Sequence, residues 1–228
     1  MFRQIVLGLT VIICFLTSGC IGKYIAALGP PRTIILRDIT EANELTNKPK
    51  YSIRVNMLTD ERLKQEFIGK VYSNMGEHVK DLQLHDGRTL DKALSFIIAG
   101  SLSRDGYDVV INNNDTSKPV AYEISGVIKS FELTEKSSRP NAYNSLHSES
   151  KRPITTYNYG VKSTGLSYLE LSIFEVATDK KHIKIIDIYY EADGITAQEM
   201  ATKVTTGILN RFKVIMRDVT YNSSLPSK

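Results

Sequence analysis

Cysteine is scarce: the 228-residue chain holds two, Cys14 and Cys20, both near the N-terminus. No disulfide can therefore brace the body of the chain, and the Cys and His spacings of structural zinc sites are missing, so stability has to come from a hydrophobic core. Tryptophan is absent, while 12 Tyr and 7 Phe make the aromatic content amphipathic rather than oily. No block of five or six like charges occurs, and a formal net charge of +4 is too mild for a nucleic-acid-binding domain. The chain also lacks a G-x-S-x-G elbow, a P-loop, a Rossmann glycine set and an H-E-x-x-H pair. Those reaction classes lose their signature, and neither cofactor nor metal is expected. A site assembled from residues distant in sequence stays open.

What is present begins at the N-terminus. Arg3 is the lone charge of the first 22 residues, and Ile5 to Leu16 form an apolar run broken by Gly8 and Thr10. Leu16-Thr17-Ser18-Gly19-Cys20 then turns to small residues. A charged start, a short apolar stretch and a small-residue site describe an export signal, and the run falls short of the roughly 20 residues of a membrane span. The ending resembles the lipobox of bacterial lipoproteins. That resemblance implies cleavage after residue 19, diacylglycerol on the Cys20 sulfur, and usually an acyl chain on its new amine. Two or three chains hold a protein firmly to a bilayer. By the enteric sorting pattern, Ile21, standing where Asp would retain the protein at the inner membrane, implies the outer membrane, facing the periplasm. Residues 20–32, with Gly29-Pro30-Pro31 near their end, read as a tether of at most about 40 Å.

Composition, at 42% hydrophobic and 24% charged, suits one domain over residues 33–228. Strands are expected at Thr33–Arg37, at Tyr51–Met57, where apolar and polar residues alternate, at Gly69–Tyr72 and at Tyr107–Ile111. A helix is expected over Leu90–Arg104, with Thr89 as its cap and Gly106 as its stop. Beyond it, Val120–Leu133 changes parity at Gly126, which reads as a bulge. Leu169, Leu171 and Ile173 alternate with polar neighbours, and Ile183–Tyr190 is apolar on nearly both faces, as in a central strand. Thr196 and Glu199 form a capping box for a last helix running to about Ile215. Strands linked mostly by hairpin-length connections, with two helices inserted, predict an α+β two-layer sandwich: a mostly antiparallel sheet carrying both helices on one face.

Chemistry-bearing residues are few. His78 and His85, seven apart, would share a helix face near Asp81 and Asp86; solvated polar residues are the plainer reading, and no metal site is assigned. Asp60, Glu61 and Arg62 read as a strand end rather than an acid–base pair. The informative stretch is the Ser-, Asn- and Tyr-rich segment 135–165, far longer than a hairpin loop should be, and such loops are either functional or disordered. Tyr143, Tyr157 and Tyr159, with Arg139 and Arg152, are its candidate partner-binding residues.

The lipobox, a strand ending in Asp60-x-Arg62, a helix running into Arg104-Asp-Gly-Tyr107, then hairpins and a last amphipathic helix resemble the YajG-type envelope lipoproteins. Val55–Arg62, Arg88–Val110 and Tyr157–Gly194 carry the resemblance, about half of the mature chain; the 135–165 insertion departs from the family's compact form. The resemblance implies location and fold and little about activity, although similar small lipoproteins serve as auxiliary subunits of envelope transport systems. The expectation is a membrane-anchored, non-enzymatic lipoprotein binding a protein or envelope component. The alternative is a periplasmic hydrolase acting on cell-wall material.

Overall fold

The structure, a computed structural model, describes residues 30–37, 51–111, 118–137, 141–146, 153–158 and 160–223. Cys20 and the leader expected before it lie outside these residues, as do Arg139, Arg152 and Tyr159.

The strands in chain order are β1 (Arg32–Ile34), β2 (Ser52–Val55), β3 (Thr59–Asp60), β4 (Gly69–Tyr72), β5 (His78–Leu84), β6 (Asp108–Ile111), β7 (Tyr122–Ser137), β8 (Asn141–Leu146), β9 (Pro153–Asn158), β10 (Val161–Glu175) and β11 (Lys180–Asp193). The two helices are α1 (Leu90–Arg104) and α2 (Ala197–Ser223), with a single 3-10 turn at His85–Gly87. The 16-residue β7 is the spine of a nine-stranded sheet. One edge pairs antiparallel with β10 over the full length of both strands. Its other edge carries three short strands in series, all parallel: β2 at Tyr122–Ile124, β3 at Val127–Ile128 and β4 at Leu133–Lys136. The open sheet ends at β1, parallel to β5, on one side and at β11 on the other.

The α+β class thus holds, but the sheet is mixed, not mostly antiparallel. Although β5, antiparallel to β4, falls where no strand was expected, counting short connections captured β10–β11, where sequence neighbours pair. It missed the parallel pairs of β1, β2, β3 and β4, each of which joins segments far apart in sequence and needs a crossover. Both helices cover one face and share one continuous core of inward residues, among them Ile53, Ile124, Leu133, Leu171 and Ile186, with Leu94, Ile98, Val204 and Phe212 from the helices. Lys213 Nζ on α2 lies 3.1 Å from Asp105 Oδ1 at the end of α1.

Local signals hold well. The α1 helix closes as a Schellman motif, with Gly106 at φ 87°, its N–H donating to Ser103 O and the Tyr107 N–H to Leu102 O. At α2 the capping box forms: the Thr196 N–H donates to Glu199 Oε2 at 2.7 Å and the Glu199 N–H to Thr196 Oγ1 at 3.3 Å. The Thr196 backbone bond, then the Thr196 hydroxyl, hold the Glu199 carboxyl below its usual range, so the cap's contribution is present at neutral pH and fades as pH falls through that lowered value. Thr89 sits at the N-cap of α1, yet its side chain makes no cap bond. The α2 helix runs two turns past the expected end, because Met216 and Val219 continue its buried stripe. The expected strand Thr33–Arg37 stops at Ile34, where the Gln198 side chain takes over the hydrogen bonding of Ile35, bonding both its N–H and its carbonyl.

Two expectations about β7 and β11 need correcting. The parity change in β7 falls at Lys129, the residue skipped where Tyr168 pairs with Ser130 and Leu169 with Ile128, not at Gly126. A Cβ on Gly126 would stand 2.6 Å from Glu170 O and 3.1 Å from Leu58 Cδ2, so this glycine answers a close packing contact rather than a bulge. The β11 strand, read as central, is the terminal strand of the sheet. Ile186 and Ile188 are buried under α2, while Ile183, Ile185 and Tyr189 are exposed on the opposite face.

The 135–165 segment is sheet at both ends. Glu135–Ser137 and Val161–Gly165 pair in the β7–β10 ladder, and a separate β8–β9 hairpin lies between them. Glu135 is buried and structural: Oε2 accepts from the Ala197 N–H at the start of α2, and Oε1 from Arg32 Nη1, each at 2.6 Å. Ser163 is also buried and donates to the Ile195 carbonyl. Excising 136–164 would therefore tear the ladder, whereas excising 138–160 and joining Ser137 to Val161, which face each other in register, by a two-residue Asn-Gly turn spares it. The shorter excision should leave the unfolding free energy from urea denaturation within about 1 kcal/mol of the parent, since loop length itself costs little; a larger loss would show that the excised part packs on the core.

Candidate interaction surface

Over β4, β5 and β7 the helix-free face of the sheet is polar: Lys70, His78, Asp81 and Glu132 border an open cleft of about 1050 Å3 there, with Arg62 at its base. His78 Nε2 lies 3.1 Å from Asp81 Oδ1. A histidine, a carboxylate and a hydroxyl (Ser130) thus line a common cleft. Register keeps them apart: His78 is opposite Tyr72, Tyr72 opposite Lys136, and Ser130 lies six residues back along β7, about 20 Å at strand rise. No nucleophile–base contact is possible across that gap. His78 is on a strand and His85 in the 3-10 turn, so the helical face imagined for them does not exist. No three His, Cys, Asp or Glu residues group as metal ligands among the described residues.

Arg62 lies at the base of that cleft and is held there by Asp60 as a structural pair rather than as chemistry. Their side chains are 8% and 7% exposed, and Arg62 is bonded to both Asp60 oxygens. Its remaining donors reach the carbonyls of Phe67, Phe131 and Gln65. With every direction of the guanidinium taken by the protein itself, the pair fastens the loop after β3 to the bulged stretch of β7.

Across the sheet the open face changes character. Ile183, Ile185 and Tyr189 on β11 are 67%, 57% and 62% exposed, and their cross-strand neighbours on β10 are Ser172, Glu170 and Leu166. Three large apolar side chains along one face, with exposed Asp187 between Ile185 and Tyr189, make this a candidate interaction surface. The row is closed at one end by a polar cluster. Lys162 Nζ is paired with Glu191 Oε1, and the Tyr189 hydroxyl donates to Glu191 Oε2 at 2.8 Å. The Lys162 ammonium and the Tyr189 hydroxyl hold the Glu191 carboxyl below its usual range, and Glu191 in turn raises both partners.

Of the sequence candidates, Tyr143 and Tyr157 lie in the β8–β9 hairpin, where Tyr143 is in register with Thr156 and Tyr157 with Ala142. Sequence reading missed Ile183, Ile185 and Tyr189 as surface residues, because a strand apolar on both faces is the pattern of a buried centre. The signal that would have found them is Lys180-Lys181-His182 and Lys184 on the same strand: four cationic or polar residues have no place in a sheet centre.

No family model matches the chain, and no curated protein matches it. Among solved structures, a Xanthomonas campestris protein of the DUF330 family is similar over 83% of this chain and 98% of its own, at 10% identity and a TM-score of 0.49. A Helicobacter pylori protein described as a homolog of the neuraminyllactose-binding hemagglutinin is similar over 83% and 97%, at 12% identity and a TM-score of 0.38. Neither likeness bears on activity.

Proposed function

We propose that this chain is a lipid-anchored protein of the bacterial envelope that works by binding another envelope component rather than by catalysis. The lipobox at Cys20 supports the anchor, and the YajG-type resemblance belongs to the same reading, as does placement at the outer membrane through Ile21. The observation that carries the binding role is the exposed row of Ile183, Ile185 and Tyr189 on the helix-free face. Apolar side chains so exposed cost solubility unless a partner covers them. The β8–β9 hairpin, with Tyr143 and Tyr157 and the neighbouring Arg139, Arg152 and Tyr159, is proposed as the second contact region. A small auxiliary subunit of a transport or assembly system fits this combination.

Two measurements test it. Cys20→Ser should abolish metabolic lipid labelling and leave a precursor longer by the leader; a variant still labelled and maturing at the parent size would refute the anchor. A photo-crosslinking residue at Ile185, in cells carrying the native anchor, should give a discrete adduct with a different envelope protein, and Ile185→Lys should remove both the interaction and the function. An Ile185→Lys variant with full activity in cells would refute the binding face.

A further inference from the structure

The outer edge of β11 has no strand beside it among the described residues, over 14 positions with no proline, no glycine and no break in the register to β10. The opposite end of the sheet is guarded: β1 is three residues long, and the Gln198 amide occupies the backbone of Ile35 beside it. Long, regular edges are what folded proteins avoid leaving bare, because they template pairing with another strand, and this one carries charged side chains but no proline, bulge or covering segment among the described residues.

We propose that this edge pairs antiparallel with the β11 edge of a second copy of the chain, about a two-fold axis at Ile186, merging two sheets into one. The choice of a second copy rests on charge. The N-terminal half of β11 carries Lys180, Lys181 and Lys184, and the C-terminal half carries Asp187, Glu191 and Asp193. An antiparallel self-pair sets each half against its opposite, and a two-fold interface requires such self-complementarity.

The register follows from the backbone. The Gly194 N–H donates to Val161 O, so the even-numbered residues of β11 bond to β10 and the odd-numbered ones from 181 to 193 turn their backbone groups to the open edge. Residues opposite each other must therefore share parity. An axis at Asp187 would oppose that carboxylate to its own copy. An axis at Ile186 instead sets Lys181 against Glu191, Ile183 against Tyr189 and Ile185 against Asp187, each twice, so Lys181 and Glu191 are the ion pair across it. It also sets the two exposed faces, each with Ile183, Ile185 and Tyr189 around Asp187, side by side and brings a second strand alongside the groove of about 570 Å3 between β11 and α2, where Tyr190, Arg211 and Val214 are found. The pairing rests on the strand edge and not on the anchor or an outside partner, so it stands or falls apart from them.

The test uses the full chain in its native membrane and in detergent. The double variant Ile183→Cys/Tyr189→Cys should form a disulfide-linked dimer on mild oxidation, while either single variant should not: the two positions lie about 20 Å apart on one strand but face each other across the axis. Glu191→Lys turns two attractions into two repulsions and should raise the dimer dissociation constant about tenfold. Lys181→Glu/Glu191→Lys should restore it. A parent protein that sediments as a monomer, a dimer indifferent to the charge exchange, or equal cross-linking of single and double cysteine variants would each overturn the proposal.

Discussion

Arg62→Ala should destabilise the fold by about 3–5 kcal/mol, the usual cost of removing one partner from a buried ion pair. The substitution leaves the Asp60 carboxylate, 8% exposed, without its counter-charge, and strips donors from the carbonyls of Phe67, Phe131 and Gln65. Water cannot readily take over, since the guanidinium itself is 7% exposed. The loss lands where β7 bulges at Lys129 and where β3 joins it, so the loop through residue 68 should loosen first. Urea denaturation reads the total, and hydrogen exchange at Ile68 and Leu133, whose backbones are bonded to each other, reads the place. Asp60→Leu/Arg62→Leu should recover part of the loss, because removing both charges leaves no buried ion unpaired. A change below about 1 kcal/mol in Arg62→Ala would mean that the clasp is solvated and dispensable.

Leu94→Ala should cost about 2–5 kcal/mol, and Ile98→Ala a similar amount. Both side chains are fully buried on α1, where the helix meets the sheet at β2 and β6. Their neighbourhood is held by more than apolar contact: Ser95, on the same turn, accepts from the Leu58 N–H and donates to Asp91 O, so the helix cannot slide to close the void. Phe96, two residues on and 44% exposed, supplies the control, since Phe96→Ala should stay within about 1 kcal/mol. Comparable losses at all three positions would mean that burial on α1 does not follow the helical period.

These elements show what a sequence can and cannot reveal. Gly106 and the Thr196–Glu199 pair were legible because their reasons lie within four residues: a left-handed turn and a reciprocal cap. Leu94 and Ile98 were legible through the helical period. Gly126 was misread because its reason is Leu58 and Glu170, brought close only by the fold. Asp60 and Arg62 were placed at a strand end, yet their burial depends on Phe131 from a strand seventy residues away. The mixed sheet was illegible for the same cause, every parallel partner being distant in sequence. The candidate surface was the hardest case, because apolar residues on both faces of a strand mean burial in most sheets, whereas Ile183, Ile185 and Tyr189 of β11 are exposed.

The arrangement around β7 also sets a schedule. Ribosomes deliver this chain from its N-terminus, and β2, β3 and β4 are made well before the residues at 122–137 that they must lie against. Until those arrive, the first half has only the β1–β5, β4–β5 and β2–β6 pairings to form. Pairings of such long sequence separation form slowly, because the loop must close before any contact rewards it. The side of the sheet built on β7 is thereby left unassembled until residue 137 has been made, and only then can β2, β3 and β4 dock on it.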